Sequence, residues 1–144
     1  MFEPKRLLAA LLLFGALLTG CSSPKQEPAT APPAESKAPA QPITDITVDD
    51  LLKRVQAGEK LMIIDVREQN EWDEGHIEGA TLMPLGNIDK QITSVAKDQE
   101  VILICRSGNR SYQAARLLAD MGYTNIKNVA GGMNAWSKIG PVVK

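Results

Sequence analysis

The sequence predicts an α/β domain in which a central parallel β-sheet carries helices on both faces. Two segments, 61–64 and 101–104, are continuously apolar, which is the pattern of strands buried on both faces. They alternate along the chain with segments of helical periodicity, as in folds built on a parallel sheet. The alternation begins near residue 43, and residues 43–144 are enough for one ordinary core. We therefore expect a single folded domain over 43–144.

The first predicted element of this domain is a helix that starts after Thr47. Thr47 and the aspartates close behind it form a capping signal with acidic residues in the first turn. The apolar residues at positions i, i+3, i+4 and i+7 of this helix are Val48, Leu51, Leu52 and Val55. Gly58 is the predicted stop. The apolar segment 61–64 then forms a strand that ends at Asp65.

Two more strands are predicted in the middle of the domain. A short one lies at 81–83, before Pro84, and the most apolar segment, 101–104, forms one that ends at Cys105. In folds with parallel sheets, sites lie beyond the carboxyl ends of the strands. Asp65 and Cys105 should therefore lie at the same edge of the sheet.

The last predicted elements are a long helix, a strand and a short helix. The long helix follows a polar, glycine-containing loop and ends at Gly122. Its apolar face consists of Ala114, Leu117, Leu118 and Met121. A strand is predicted at 126–129, and Gly131-Gly132 then interrupts the chain before a short helix over 133–138.

The N-terminal residues have the pattern of an export signal. Lys5 and Arg6 precede an apolar segment over 7–18, which is shorter than the roughly 20 residues of a transmembrane helix and typical of a signal-peptide core. It ends in Leu-Thr-Gly-Cys, which resembles a bacterial lipobox. The resemblance implies that 1–20 is a lipoprotein signal peptide and that Cys21 becomes the lipidated N-terminus. A spanning anchor and an ordinary secretory signal are the alternatives.

A linker rich in proline and alanine completes the segment 21–42. Residues 22–42 contain six prolines and no aromatic, Leu, Ile, Val or Met residue, so we predict that they stay disordered. Fully extended at about 3.1 Å per residue, the linker would hold the domain up to roughly 65 Å from a membrane. Ser22, next to the lipidated cysteine, favours the outer membrane of a Gram-negative envelope. We expect the domain to lie outside the cytoplasm.

Charge and cysteine content exclude several classes of protein. The formal net charge of the chain is −1 at pH 7, without the clustered basic excess of a nucleic-acid-binding protein. The two cysteines, Cys21 and Cys105, are too few for a disulfide framework or a four-cysteine zinc site. With Cys21 lipidated, Cys105 would be the only free thiol.

The stretch CRSGNRS at 105–111 is the most informative part of the sequence. A helix should begin about four residues after Cys105, so the loop between them can turn backbone N–H groups inward, helped by Gly108. The helix N-terminus, Arg106 and Arg110 add positive charge. These features favour a thiolate and can hold an oxyanion, which predicts an activated cysteine and an anionic substrate. The alternative is that Cys105 is only a small core hydrophobe.

Three blocks of residues resemble the single-domain rhodanese-like sulfurtransferases. They occur in family order and span most of the predicted domain. The first reads IDVR at 64–67, EW at 71–72 and GHIEGA at 75–80; the second is CRSGNRS at 105–111; the third is GGMNAW at 131–136. The resemblance implies the rhodanese-like fold, a central parallel β-sheet with helices on both faces.

For the activity, the resemblance implies transfer of sulfane sulfur through a persulfide on Cys105. A donor such as thiosulfate would supply the sulfur, and a thiophilic acceptor, cyanide or a thiol, would remove it. Substrate binding would fall to the loop residues Arg106, Ser107, Gly108, Asn109 and Arg110. Their inward N–H groups would stabilise the persulfide, and the two arginines would hold the donor. The reaction needs no metal or organic cofactor, and we expect the domain to act as a monomer.

The length of the loop distinguishes this chemistry from that of the cysteine phosphatases. Those enzymes need a Cys-x5-Arg loop, because a phosphoryl group requires a wider cradle. Here Cys105 and Arg110 form the shorter Cys-x4-Arg, which suits sulfur.

Several polar residues are interpreted as structural before they are interpreted as catalytic. His76, the only histidine, lies in a turn of the family pattern, so a structural role is favoured over a catalytic Cys–His pair. Asp65 has two alternatives, hydrogen bonding within the fold and tuning of Cys105. Arg67 and Glu68 are expected to form a structural ion pair.

Three functions stay open at this point. The first is an enzyme that moves sulfane sulfur in the cell envelope. The second is a persulfide carrier that hands sulfur from Cys105 to a specific protein. The third is an interaction module that keeps only the fold, against which the intact Cys-x4-Arg loop argues.

Overall fold

The computed structural model of the protein describes residues 43–144. In this part of the chain, five strands alternate with five α-helices and one short 3₁₀ helix. The strands are β1 (Thr44–Ile46), β2 (Ile63–Asp65), β3 (Thr81–Leu82), β4 (Val101–Ile104) and β5 (Ile126–Val129). The helices are α1 (Val48–Gln56), α2 (Gln69–Glu74), α3 (Ile88–Gln91), α4 (Asn109–Asp120) and α5 (Gly132–Trp136), and the 3₁₀ helix is Ile92–Ser94.

All five strands form one parallel sheet in the order β1-β5-β4-β2-β3. The most apolar strand, β4, therefore occupies the centre. Its neighbour β2 is in register so that Asp65 lies opposite Ile104, immediately before Cys105. The predicted fold class, an α/β domain with a central parallel sheet, is confirmed.

The sheet is covered on both faces, because successive residues of β4 point to opposite sides. Val101 and Leu103 belong to one apolar cluster, which also contains Ala114, Ala115 and Leu118 of α4. Ile102 and Ile104 belong to a second cluster, which also contains Leu51 of α1 and Met133 and Trp136 of α5. All four residues of β4 are fully buried. This explains why the strand reads as a continuous apolar run.

The structure agrees with the sequence for the long elements and refines them in detail. Thr47 caps α1 as predicted, forming a capping box with Asp50, whose backbone N–H donates to the Thr47 hydroxyl at 3.1 Å. The helix after the polar loop begins at Asn109, four residues after Cys105. Leu117 was predicted to lie on the apolar face of that helix, but the residue is 38% exposed.

Several short elements have no counterpart in the prediction. Strand β1 and helices α2 and α3 have three, six and four residues, too few to show a periodicity. The strand predicted at 61–64 is displaced, since β2 begins at Ile63.

Three predictions fall outside the described residues. They are the signal peptide at 1–20, the lipidation of Cys21 and the disorder of the linker up to residue 42. Within 43–144, no helix is long and apolar enough to cross a membrane.

Candidate active site

The site is built on the loop that joins the central strand to helix α4. Cys105 follows β4 directly, and its side chain lies beneath the loop with only 1% of the residue exposed. The loop turns sharply at Gly108, whose φ of +104° lies in the left-handed region that favours glycine. This conformation directs the Gly108 N–H to the Cys105 Sγ at 3.1 Å.

Ser111, in the first turn of α4, provides a second donor to the sulfur. Its Oγ lies 3.4 Å from the Cys105 Sγ and 3.0 Å from the carbonyl oxygen of Gly108. A hydroxyl carries one proton, so it donates to one of these acceptors at a time. Ser111 belongs to the CRSGNRS stretch, but no role was predicted for it.

Burial and hydrogen bonding act on the Cys105 thiol in opposite directions. Burial raises its pKa, because a charged sulfur loses hydration. Hydrogen bonds from the side chain and backbone of Ser111 and from the N–H groups of Gly108 and Ser107 lower the pKa, and together they outweigh burial. The net result is a pKa below the ordinary value of 9.0, which favours the thiolate form of Cys105.

Helix α5 also supports the loop, through hydrogen bonds to its backbone carbonyls. The backbone N–H of Met133 donates to the Cys105 carbonyl at 2.8 Å, and that of Asn134 donates to the Arg106 carbonyl at 2.9 Å. Gly132 makes this close approach possible, since a Cβ atom there would come within 2.8 Å of the Arg106 carbonyl oxygen. The Gly131-Gly132 pair therefore fits the helix against the active loop.

The two loop arginines face an acidic residue from another element. Arg110 donates from both terminal nitrogens to the carboxylate oxygens of Glu71 on α2, at 2.7 Å each. The Nε of Arg106 lies 3.5 Å from the same carboxylate. The hydrogen bond from Arg110 is the main reason that the pKa of Glu71 falls to about 2. Both arginines were predicted to hold the donor, whereas Arg110 is paired with Glu71 within the protein.

Glu71 is the site residue that the sequence analysis missed. It formed part of a family block, but no role was assigned to it, because nothing local shows that it contacts a loop 39 residues later. Its place in the EW pair of the family block, at 71–72, is the one signal that was available.

The other predicted loop residues lie at the rim of the site. Ser107 and Asn109 are exposed, and Asn109 is the first residue of α4. Arg106 has a side chain that is 60% exposed and therefore open to solvent. Next to it lies an open groove of about 400 Å³, which Arg106 and Asn134 line together with residues near the C-terminus.

The structure pairs Asp65 with Arg67 and not with the sulfur. Arg67 donates from its backbone N–H and its side chain to the Asp65 carboxylate, with the shortest contact at 2.7 Å, and also to the carbonyl of Gly75. The expected Arg67–Glu68 ion pair was wrong, because the guanidinium points into the interior towards the buried Asp65. Of the two alternatives for Asp65, the contacts are those of hydrogen bonding within the fold.

His76 lies among backbone and aromatic contacts. Its ring stacks on Trp72 with centroids 3.6 Å apart, and its Nδ1 is 3.2 Å from the Trp72 carbonyl. Its backbone forms an isolated bridge with Val143. These contacts are those of a structural turn. Among the described residues, no three His, Cys, Asp or Glu side chains are grouped so that they could hold a metal ion.

A buried cysteine in a loop of inward N–H groups, at the end of the central parallel strand, defines a class of thiolate-based enzymes and carriers. The family model described as the rhodanese-like domain matches residues 47–139, more than half of the chain. The chain belongs to the rhodanese-like family, and its relatives identify it as a single-domain rhodanese-like sulfurtransferase.

Three curated relatives show the range of this similarity. A sulfurtransferase of Allochromatium vinosum is 34% identical over 102 residues, which is 70% of this chain and 95% of that protein. The "Putative sulfur carrier protein YrkF" of Bacillus subtilis is 36% identical over 98 residues, 68% of this chain and only 53% of that protein. The thiosulfate sulfurtransferase GlpE of Shewanella oneidensis is 29% identical over 91 residues, 63% of this chain and 89% of that protein.

Solved structures agree with the fold. A rhodanese-like domain protein from Staphylococcus aureus superimposes with a TM-score of 0.61 and 32% sequence identity, covering 65% of this chain and 91% of that protein. The central parallel sheet described above is therefore the sheet of the family.

Proposed function

We propose that the protein transfers sulfane sulfur from a small anionic donor, such as thiosulfate, to a thiophilic acceptor through a persulfide on Cys105. The observation that carries this proposal is the Cys105 Sγ itself. It is buried under a loop whose N–H groups, together with the Ser111 hydroxyl, lower its pKa. A thiolate held in this way is a nucleophile, and the same donors can stabilise the anionic product.

In the first step, the Cys105 thiolate attacks the sulfane sulfur of thiosulfate. A new S–S bond forms on Cys105 while the S–S bond of thiosulfate breaks, and its electron pair leaves with sulfite. The products are an enzyme persulfide anion and the sulfite dianion, so charge and atoms balance. Loop N–H groups that surround Cys105 favour the anionic persulfide over a neutral one.

In the second step, an acceptor removes the outer sulfur. Cyanide attacks it to give thiocyanate, and a thiolate attacks it to give a new persulfide; either reaction returns Cys105 as a thiolate. Arg106 is the charged loop side chain most open to solvent, so it is the one that first meets an incoming anion. Thiosulfate as donor is supported by the similarity to GlpE, whose name describes that activity.

A second candidate function is that of a sulfur carrier. It uses the same Cys105 persulfide but delivers the sulfur to a partner protein, as the name of YrkF suggests for that relative. Multiple turnovers with small donors and acceptors favour the enzyme. A single loading of Cys105, followed by transfer only to a protein thiol, favours the carrier.

The proposed location is the bacterial cell envelope, with the protein anchored by lipid on Cys21. This proposal rests on the lipobox-like sequence that ends at Cys21 and on the proline-rich linker after it. One acyl chain binds membranes weakly, whereas two or more anchor a protein stably without a spanning helix. The linker would leave the domain free to meet soluble donors and acceptors.

The activity is tested by formation of thiocyanate from thiosulfate and cyanide by the purified protein. We expect turnover by the native protein and none by Cys105→Ser, with Ser107→Ala as a control that keeps every backbone N–H of the loop. Hydrolysis of phosphate esters without any sulfur transfer would overturn the proposal.

A further inference from the structure

We propose that Glu71 is a specificity-determining residue, which limits how strongly the loop favours sulfur donors with two negative charges over donors with one. This inference rests on the proposed function and concerns how the same site selects among donors by charge. It concerns a residue that touches the loop arginines and not the reacting sulfur, so its effect would be on donor selection.

The geometry ties Glu71 to both arginines of the loop. Its two carboxylate oxygens each accept a hydrogen bond of 2.7 Å from Arg110, and one lies 3.5 Å from the Nε of Arg106. Paired in this way, the Arg110 guanidinium has two of its donors occupied before any substrate arrives. The carboxylate is held in place by α2, where it also accepts from the backbone N–H of Glu68 at 3.3 Å.

The carboxylate sets the net charge of the site. With Cys105 as a thiolate, Glu71 and the two arginines bring the four side chains to zero net charge. Without the carboxylate, the same set would carry one positive charge. The side chain of Glu71 is 11% exposed and that of Arg110 is 32% exposed. Because both are shielded from water, their charges are screened less than those of a surface pair.

Glu71 has this effect across the physiological pH range. Its pKa of about 2 keeps it ionised, because Arg110 binds the charged form. The hydrogen bonds to Glu71 are the main reason that the pKa of Arg110 is raised, and the charge of the Cys105 sulfur adds a smaller effect in the same direction.

Two small donors separate the effect of charge from that of shape. Thiosulfate is a dianion, and methanethiosulfonate is a monoanion in which a methyl group replaces one anionic oxygen. Both give the Cys105 thiolate their sulfane sulfur by the same step. The S–S bond of the donor breaks, and its electron pair leaves with sulfite in the first case and with methanesulfinate in the second. An extra positive charge in the loop should favour the dianion.

The experiment compares kcat/KM for these two donors in the full-length protein, with cyanide as acceptor. Variants are Glu71→Gln, which removes the charge, and the charge-balanced double variant Glu71→Gln/Arg110→Gln. The matched control is Asp73→Asn, which removes the same charge from the same helix at an exposed residue that bonds Gln69 and not the loop.

We expect Glu71→Gln to raise the ratio of kcat/KM for thiosulfate over methanethiosulfonate by roughly fivefold to tenfold. The double variant should restore the native ratio, and Asp73→Asn should leave it unchanged. Loss of both activities in equal proportion would show that Glu71 is only structural and would overturn the inference. If Glu71→Gln does not fold, Arg110→Gln takes its place: this change removes one positive charge from the same pair and should lower the ratio, and an unchanged ratio would overturn the inference. Native protein that transfers sulfur from neither donor would instead overturn the proposed function.

Discussion

At the scale of single residues, the chemistry depends on the few hydrogen-bond donors that surround the Cys105 sulfur. The Cys105 Sγ has lost its water, and loop N–H groups with one hydroxyl replace it. The direction of the pKa shift shows that these donors outweigh burial. Reactivity at neutral pH is therefore a property of the loop and not of the cysteine alone.

Ser111→Ala should move the pH dependence of sulfur transfer to higher pH. The native pKa of Cys105 is depressed, so the thiolate forms as pH rises through a value below 9.0. Removing the hydroxyl removes a hydrogen bond that favours the thiolate, so the pKa of Cys105 should rise. Activity at pH values below that pKa should therefore fall. We expect a shift of about one pH unit, or roughly tenfold in activity near neutral pH.

The measurement is the pH profile of kcat/KM, together with the pH profile of alkylation of Cys105 by iodoacetamide. Ser107→Ala is the matched control, because it removes an exposed hydroxyl from the same loop and keeps the backbone N–H. Identical inflections in Ser111→Ala and the native protein would contradict this account of the thiolate.

At the scale of elements, the site depends on the contact between the active loop and α5. Two N–H groups of α5 donate to loop carbonyls, and Gly132 lies so close to the loop that no side chain fits. Its φ of +54° is also one that L side chains rarely adopt. The loop therefore takes its shape from two helices and not from its own sequence alone.

Gly132→Ala should impair both stability and sulfur transfer. A Cβ atom at this position would overlap the backbone of Cys105 and Arg106, and the positive φ adds strain. We expect a loss of about 2 kcal/mol or more in the free energy of unfolding, with a larger fall in kcat than the stability change explains. Chemical denaturation and steady-state kinetics measure the two effects. Gly86→Ala is the control, since a Cβ there meets nothing within 4 Å, and equal behaviour of both variants would refute the close-packing argument.

Elements with a strong local signal could be predicted from the sequence, and the others could not. The β4 run, the Thr47 cap and the position of Gly108 before α4 all follow from residues adjacent in the chain. Strand β1 is only three residues long and is defined by its pairing with β5, which is distant in sequence. A short strand of this kind has no periodicity to detect.

The same distinction applies to the site. The position of Cys105 in its loop was visible in one stretch of sequence, because the features that lower a thiol pKa lie within six residues of it. The Glu71–Arg110 pair was not predicted, and Arg67 was predicted to pair with Glu68 and not with Asp65. Which charges meet depends on side-chain directions and on packing between elements, and the sequence alone does not specify these.

At the scale of the whole molecule, the proposed function gives each of the two cysteines a separate task. The lipobox-like segment would attach the chain to a membrane through Cys21, and the folded domain would present Cys105 at the end of the linker. In this arrangement, catalysis and attachment are separable. The two functions can be tested in one protein.

Cys21→Ser should remove the lipid and leave sulfur transfer intact. The lipobox-like sequence loses its cysteine in this variant, so neither acylation nor the cleavage coupled to it is expected, and the uncleaved apolar segment 7–18 can itself stay in the membrane. Incorporation of labelled fatty acid in expressing cells therefore measures the modification, and thiocyanate formation measures the activity. Labelling of Cys21→Ser as strong as that of the native protein, or no labelling of either, would contradict lipid anchoring.

In the proposed mechanism, sulfur passes through a persulfide on Cys105, and mass spectrometry of the purified protein detects this intermediate. After incubation with thiosulfate, the peptide that contains Cys105 should gain the mass of one sulfur atom, and cyanide should remove that mass while thiocyanate appears. Cys105→Ser should show neither change. Sulfur transfer that proceeds without any gain of mass on Cys105 would contradict the account.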